Sequence, residues 1–316
     1  MIEPRFTIAI PCYNGEGSIE RALKSCLDQK TTSDFEVLVV DNASTDSTPK
    51  LLAGFYDRRL RVIRNEDKLC IFGNHNRCLF EAKGEYLIFC HSDDMLADLA
   101  LERLDGELSR LGYPNKIVVW GYSLIKDYSG CLEAAGLTVG VPFAGMRAQL
   151  PFVYGGLTPS GTCYSSRTLK EAGGFIEVDH WLAPADTVVH IHLAISCFQF
   201  LMSPSLLFVR RSASTATDAI ETADVIDAYS EAFQKLFCHY LTSKQQRDLI
   251  KLADSVQKKP AAFWLFLMGT REYRFIGIKK MVKLFFKAPA NLFDPLLREF
   301  IIRLLKPKLV SVFPAD

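Results

Sequence analysis

An α/β fold, with a mostly parallel sheet covered by helices on both faces, is predicted by three features of the sequence. Short runs of strand formers (FTIAIPC, FEVLVV and YLIFC) are largely apolar without period-two alternation, as strands buried on both faces are. Amphipathic stretches of helical period separate them. The composition, 49% hydrophobic and 23% charged, is that of a globular chain able to bury a core without disulfides or structural metals.

Phe6–Cys12 reads as the first strand. Ser18–Gln29 reads as a helix with Ile19, Ala22, Leu23, Cys26 and Leu27 on one stripe. Phe35–Val40 is the second strand, and Thr45-Asp46-Ser47-Thr48-Pro49 is a helix start leading into Leu51, Leu52 and Phe55. Leu60–Arg64 is expected as a third strand, Asn76–Lys83 as a helix, Tyr86–Cys90 as a fourth strand, Ala97–Leu111 as a helix and Lys116–Tyr122 as a fifth strand. The pattern then weakens into hairpin-like and loop sequence as far as Gly156. A short helix from about Ser166 precedes Gly173-Gly174-Phe175, a helix spans Ala185 to Cys197, and a strand spans Ser205 to Arg211. Beyond Ser214 the chain is expected to be helical. Two units follow: an α/β body over 1–215 and a helical, basic region over 216–316.

Charge supports that division. The net charge is +1, which excludes nucleic acid as a partner on electrostatic grounds. Lys258–Lys308 nevertheless holds 12 Lys and Arg against 3 Asp and Glu, a net of +9, so the remainder carries 1 − 9 = −8. The nine cysteines are scattered, with no CxxC pair and no zinc-like spacing, which points to a reducing compartment. Glu3 and Arg5 interrupt any secretory signal. The longest uncharged apolar stretch, Ala261–Gly269, is far short of the roughly 20 residues a spanning helix needs.

In an open parallel sheet, ligands bind beyond the carboxyl ends of the strands. There the sequence places Pro11-Cys12-Tyr13-Asn14-Gly15-Glu16, then Asp41-Asn42-Ala43-Ser44-Thr45-Asp46, then His91-Ser92-Asp93-Asp94. None of these is a GxGxxG or GxxxxGK[ST] loop. Adjacent carboxylates repel unless a cation sits beside them, and oxygen ligands favour a hard ion, Mg²⁺ or Mn²⁺, shared with a diphosphate. The plainer alternative is that Ser92-Asp93-Asp94 caps the helix that follows.

These segments resemble, in order and spacing, the inverting family 2 glycosyltransferases of the GT-A nucleotide-sugar-binding fold. The likeness takes in FTIAIPCYNGEGSIERALKSCLDQ, FEVLVVDNASTDST, NHNRCLFEAKGEYLIFCHSDDML and the Gly-Gly-Phe before a helix. It implies a sugar transferred from a nucleotide-sugar donor to a glycan hydroxyl. Pro11, Cys12, Tyr13 and Asn14 match the loop lining the nucleotide, with Tyr13 against the base. Asp41 matches the carboxylate accepting from the base's ring N–H, although it could equally start a turn with Ser44. Asn74 and Asn76 match amides facing the diphosphate. Asp93 and Asp94 match the metal-binding motif. Asp186 matches the catalytic base, although a carboxylate at a helix start also satisfies the macrodipole. Arg210 or Arg211 is placed for a diphosphate contact.

Three positions depart from the commoner family pattern: His91 stands for Asp, Ala185 for Glu and Ser212 for His. They keep open a catalytically weak nucleotide-sugar-binding scaffold as an alternative. A nucleotidylyltransferase would want a basic, glycine-rich loop after the first strand, which PCYNGEGS does not supply.

Phe275–Lys287 repeats Lys279, Lys280, Lys283 and Lys287 at three- and four-residue spacing, with Phe275, Ile278, Val282, Phe285 and Phe286 expected largely on the other side. Phe293–Leu305 is similar. Such helices suit an anionic membrane surface, and equally a cap on the body or a homodimer contact. The family likeness and the basic tail together lead to the expectation of a polyprenyl-diphosphate-linked glycan acceptor. They also lead to a cytoplasmic enzyme, peripheral on the inner face of the cell membrane, in surface polysaccharide biosynthesis.

Overall fold

The computed structural model describes residues 3–123, 137–145, 160–177, 185–210, 231–255, 267 and 270–287. Its first half alternates strand and helix: β1 (Phe6–Cys12), α1 (Ile19–Leu27), β2 (Phe35–Asp41), α2 (Thr48–Leu52), β3 (Leu60–Arg64), α3 (Ile71–Glu81) and β4 (Tyr86–Phe89). Then come β5 (Asp94–Leu96), α4 (Ala100–Arg110), β6 (Ile117–Ser123), β7 (Cys163–Ser165), α5 (Ser166–Glu171), α6 (Ala185–Ile195) and β8 (Gln199–Arg210). A π-helical turn (Leu236–Tyr240), α7 (Ser243–Ser255) and α8 (Arg274–Lys287) follow.

The strands form one sheet in the order β3-β2-β1-β4-β7-β6-β8-β5. The pairs β1–β2, β1–β4, β2–β3 and β6–β8 are parallel. The pairs β4–β7, β6–β7 and β5–β8 are antiparallel. The α/β class with a mostly parallel sheet therefore stands. Successive strand residues feed opposite faces, as the period of two requires. Ile8, Ile10, Val37, Val39 and Ile88 pack with α1 and α4 on one side. Ala9, Leu38, Val40, Leu87 and Phe89 pack with α3, α5 and α6 on the other. Leu236, Phe237, Leu249, Ile250, Tyr273 and Met281 from the C-terminal helices join that second cluster.

Three expectations needed correcting. Helix α3 starts at Ile71, five residues before the position read from sequence, because its first turns carry Gly73, Asn74, His75 and Asn76, which look like loop. Cys70 caps it, its Sγ accepting from the Gly73 N–H at 3.2 Å. Strand β8 begins at Gln199, so its first half was missed, and the short β5 was absorbed into a loop. The core-facing stripe here is Tyr273, just before α8, with Gly277 and Met281 at i+4 and i+8, so Phe275 and Val282 do not lie opposite the lysines as expected. Phe275 and Val282 stay exposed on the face that also carries Lys279 and Lys283. The second basic segment, 293–305, lies outside the described residues, as do Arg211 and Ser212.

The strand order places the site. The chain moves outward from β1 to β2 to β3 and then returns to lay β4 against the other side of β1. The crevice between the carboxyl ends of β1 and β4 is the topological switch point, where open α/β sheets bind ligands.

Candidate active site at the carboxyl edge of the sheet

The loops after β1 and β2 are stitched together. Asn14 takes a left-handed conformation (φ 49°), and its N–H donates to Ser44 Oγ at 2.9 Å. Its Oδ1 accepts from the Thr45 N–H at 2.8 Å. The Gly15 N–H donates to Thr48 Oγ1 at 2.8 Å, the Glu16 N–H donates to Asp46 Oδ2 at 3.0 Å, and Glu16 Oε2 accepts from the Ser47 N–H at 3.0 Å. Gly15 also lies against the β4 loop, where a Cβ would stand 2.8 Å from Cys12 Sγ and 3.5 Å from Ser92 Cβ. Asn14 thus ties the β1 loop to the β2 loop.

Cys12 turns inward and is corrected to a core residue. It is 1% exposed, and burial pushes its thiol up to about 12. Pro11 is half-buried on β1, at the level of Val40. Tyr13 is 39% exposed, with Lys68 Nζ 3.9 Å from its ring centroid, so a cation covers one face of the ring.

Asp41 is almost wholly buried. Its Oδ1 accepts from the Ser44 N–H at 3.0 Å, and its Oδ2 pairs with Arg64, whose Nη2 also donates to the Ser44 carbonyl at 2.8 Å. The turn with Ser44 is therefore present. Sequence reasoning missed Arg64, although the register that sets Arg64 opposite Asp41 on adjacent strands is a signal for it. The pair leaves the guanidinium, half exposed, at the mouth of the crevice.

Asn74 and Asn76 do not face the crevice. Asn74 accepts from Asn65 Nδ2 at 2.9 Å and donates to the Val40 carbonyl at 3.2 Å. Asn65 also donates to Asn42, tying three loops into one amide chain. Asn76 binds the Phe175 backbone and Glu177. Buried amides must find partners, and these have found them within the protein. The expectation of a diphosphate contact is replaced by a structural role for both.

After β4 the chain makes a tight turn, with the Asp94 N–H donating to the His91 carbonyl at 3.0 Å. His91, Asp93 and Asp94 bring one ligand atom each to within 4.8 Å of one another. The His91 N–H donates to Ser160 Oγ at 3.2 Å, which holds this turn against the segment entering β7. Gly161 (φ 73°) follows, and a Cβ there would collide with the Phe208 ring. The register of β5 with β8 sets Arg210 opposite Asp94. The side chain of Arg210 is outside the described residues, as is that of Asp186, whose backbone lies in the first turn of α6. An imidazole nitrogen with two carboxylates fits Mn²⁺ or Mg²⁺, because the donors are hard or borderline and no thiolate competes. The helix-cap alternative finds no support, since α4 starts at Ala100 with Leu99 at its N-cap.

Residues 7–123, the part of the chain that builds this crevice, match the profile of Glycosyl transferase family 2. This segment is a glycosyl transferase family 2 domain. Among curated relatives, the chain is 31% identical over 124 residues to the Escherichia coli UDP-Glc:α-D-GlcNAc-diphosphoundecaprenol β-1,3-glucosyltransferase WfgD, covering 39% of this chain and 47% of WfgD. It spans less than half the length of the curated relatives it matches. Among solved structures it resembles Staphylococcus aureus TarS 1-349 in complex with UDP-GlcNAc, at a TM-score of 0.58 and 19% identity over 79% of this chain and 71% of that one. It also resembles the Pyrobaculum calidifontis mannosyltransferase PcManGT in complex with GDP-Man and Mn²⁺, at a TM-score of 0.54 and 18% identity over 97% and 88%. The family 2 domain thus has the GT-A layout, with the β1 and β4 loops at its switch point.

Proposed function

We propose that this chain is a metal-dependent, inverting glycosyltransferase that moves a sugar from a nucleoside diphosphate to a hydroxyl of a lipid-linked glycan. The observation that carries the reading is the His91–Asp93–Asp94 cluster at the switch point, beside the preorganised β1 and β2 loops. The half-exposed ring of Tyr13 is assigned to the base, with Asp41, paired to Arg64, as the carboxylate of the neighbouring loop. A divalent ion held by Asp93, Asp94 and His91 would neutralise charge on the diphosphate. Arg210, whose backbone pairs with that of Asp94, is assigned the diphosphate contact.

Asp186 is assigned the proton. A carboxylate at the first turn of α6 takes it from the acceptor hydroxyl as that oxygen attacks the anomeric carbon opposite the leaving group. One carboxylate suffices for a single displacement, so the anomeric centre inverts. The lipid-linked acceptor is inferred from WfgD and from α8, where Phe275 and Val282 share an exposed face with Lys279 and Lys283. Apolar and basic groups on one outward face suit the interface of an anionic membrane. Among the described residues no helix is long and apolar enough to cross a membrane. We assign the protein accordingly to the inner membrane surface, with residues 1–215 as the transferase unit and 216–316 as a helical unit that caps it and docks.

Calorimetry with UDP, GDP and dTDP, with and without Mn²⁺, followed by hydrolysis of a nucleotide-sugar panel, tests the reading. Mn²⁺-dependent binding of one nucleotide and turnover of its sugar conjugate are expected. Binding without any turnover would leave the scaffold alternative.

A further inference from the structure

His75 is a buried histidine that the reaction described above does not use. It lies in α3, 3% exposed, caged by the rings of Phe72, Phe89 and Phe175 at centroid distances of 5.1, 4.8 and 5.7 Å. Its Nδ1 stands 2.8 Å from the Ile71 carbonyl oxygen, and its Nε2 stands 3.1 Å from Nε2 of His91. The two imidazoles meet edge to face, at 89° between ring planes.

Hydrogen-bond chemistry fixes the protons. A carbonyl oxygen can only accept, so Nδ1 of His75 carries a hydrogen. Among the described residues no carboxylate partners this caged imidazole, which is therefore neutral, so its Nε2 carries a lone pair. Two ring nitrogens at hydrogen-bond distance share one hydrogen, and the only ring able to supply it is His91. His91 is therefore protonated at Nε2, and in its neutral form its lone pair is on Nδ1.

We propose that His75 is a positioning residue that sets the tautomer of His91, so that His91 donates from Nε2 and meets a divalent cation through Nδ1. The second half rests on the metal reading above, whereas the first stands on the geometry of the two rings alone. Metal-bound histidines commonly donate their other ring N–H to a carboxylate or carbonyl. Here a neutral, buried histidine supplies the acceptor, which orients His91 without adding a negative charge behind the site. The arrangement also gives a physical use to the histidine that stands where the commoner family pattern has an aspartate.

The test uses the full chain. In the metal-free protein labelled with ¹⁵N-histidine, at about pH 8.5, two units above the ordinary histidine value, ring-nitrogen correlations should show His75 protonated at Nδ1 and His91 at Nε2. A His91 ring protonated at Nδ1 overturns the proposal. Electron paramagnetic resonance titration with Mn²⁺ alone then compares the parent with His75→Phe, which fills the cage without an acceptor, and His75→Gln, which retains one. Affinity should fall roughly 10- to 100-fold in the Phe variant and recover in large part in the Gln variant. Equal affinity of parent and Phe variant overturns the proposal. A parent that binds no Mn²⁺ overturns the metal reading and the Nδ1 half with it, while the ring-nitrogen spectra still decide the histidine pair. Should His75→Phe unfold, the spectra of the parent and the titration of His75→Gln carry the decision.

Discussion

Asn76 and Phe175, 99 residues apart in the chain, exchange two hydrogen bonds: the amide Nδ2 donates to the Phe175 carbonyl at 2.9 Å, and the Phe175 N–H donates to Oδ1 at 2.8 Å. The side chain thereby acts as a short piece of strand, locking the Gly173-Gly174-Phe175 turn to α3. Gly174 has φ 72°, and a Cβ there would stand 2.5 Å from Asn76 Oδ1, so the turn accepts no side chain at that position.

Asn76→Ala should therefore destabilise the protein by about 1–3 kcal/mol, the scale for leaving buried backbone groups without a partner. Urea unfolding measures it. Gly174→Ala should do comparable damage. A neutral effect of Asn76→Ala would return the residue to the diphosphate contact first expected of it.

Asp186→Asn should leave donor affinity nearly unchanged while lowering turnover by roughly 10²-fold or more. Binding by calorimetry and turnover by nucleotide release separate the two. Near-normal turnover would turn attention to Asp179, or to Glu177, whose Oε1 accepts from Asn76 Nδ2 at 2.7 Å.

Asp93→Ala should abolish the Mn²⁺-dependent part of nucleotide binding, because it removes an anionic oxygen from the His91–Asp93–Asp94 cluster. Asp94 is 1% exposed, so Asp94→Asn, which preserves volume, is the better partner experiment. If EDTA leaves nucleotide affinity of the parent unchanged, the metal assignment fails.

Lys279→Glu with Lys283→Glu should release the protein from anionic vesicles in flotation. Each basic residue near such a surface contributes on the order of 1 kcal/mol, so reversing two shifts partitioning by orders of magnitude. Hydrolysis of free donor should survive, since neither lysine is among the residues assigned to the site. Equal flotation of parent and variant would favour the cap or dimer.

His192 supplies a pH dependence. Burial holds its pKa below the ordinary value of 6.5, while its Nε2 bond to the Ala172 carbonyl opposes this more weakly. Above pH 6.5 both folded and unfolded states hold it neutral, so stability is at its full value. As the pH falls, the unfolded chain takes up the proton first, and stability declines by up to about 1.4 kcal/mol per pH unit toward the depressed folded value. His192→Gln should flatten that decline below pH 6.5, as thermal melts across pH would show.

The first half of the fold was legible because its signals are local. Ile8, Val37 and Ile88 lie in continuous apolar runs, and each loop that follows such a run reaches the same edge of the sheet. The amides of α3 were misread because sequence shows their polarity and hides their partners: Asn74 and Asn76 look soluble, yet they bond Asn65, Val40 and Phe175 inside the protein. The orientation of α8 was misjudged for the converse reason. Its apolar positions are too many to mark one face, and contact with the core selects Tyr273 and Met281 over Phe275 and Val282. Arg64 and His75 escaped notice because each works through a neighbour from another segment, Asp41 and His91 respectively.

Ala43, in the β2 loop, has φ 58°, a conformation that disfavours a residue with a Cβ. Strain of this kind amounts to about 1–2 kcal/mol. It is met when the chain folds, together with the bonds from Asn14 that hold the same loop. On the proposed reading, a nucleotide arriving at the crevice finds a loop whose disorder has already been spent. Replacing Ala43 with glycine would relieve the strain and loosen the loop at once, trading a sturdier protein for a slacker grip on its donor.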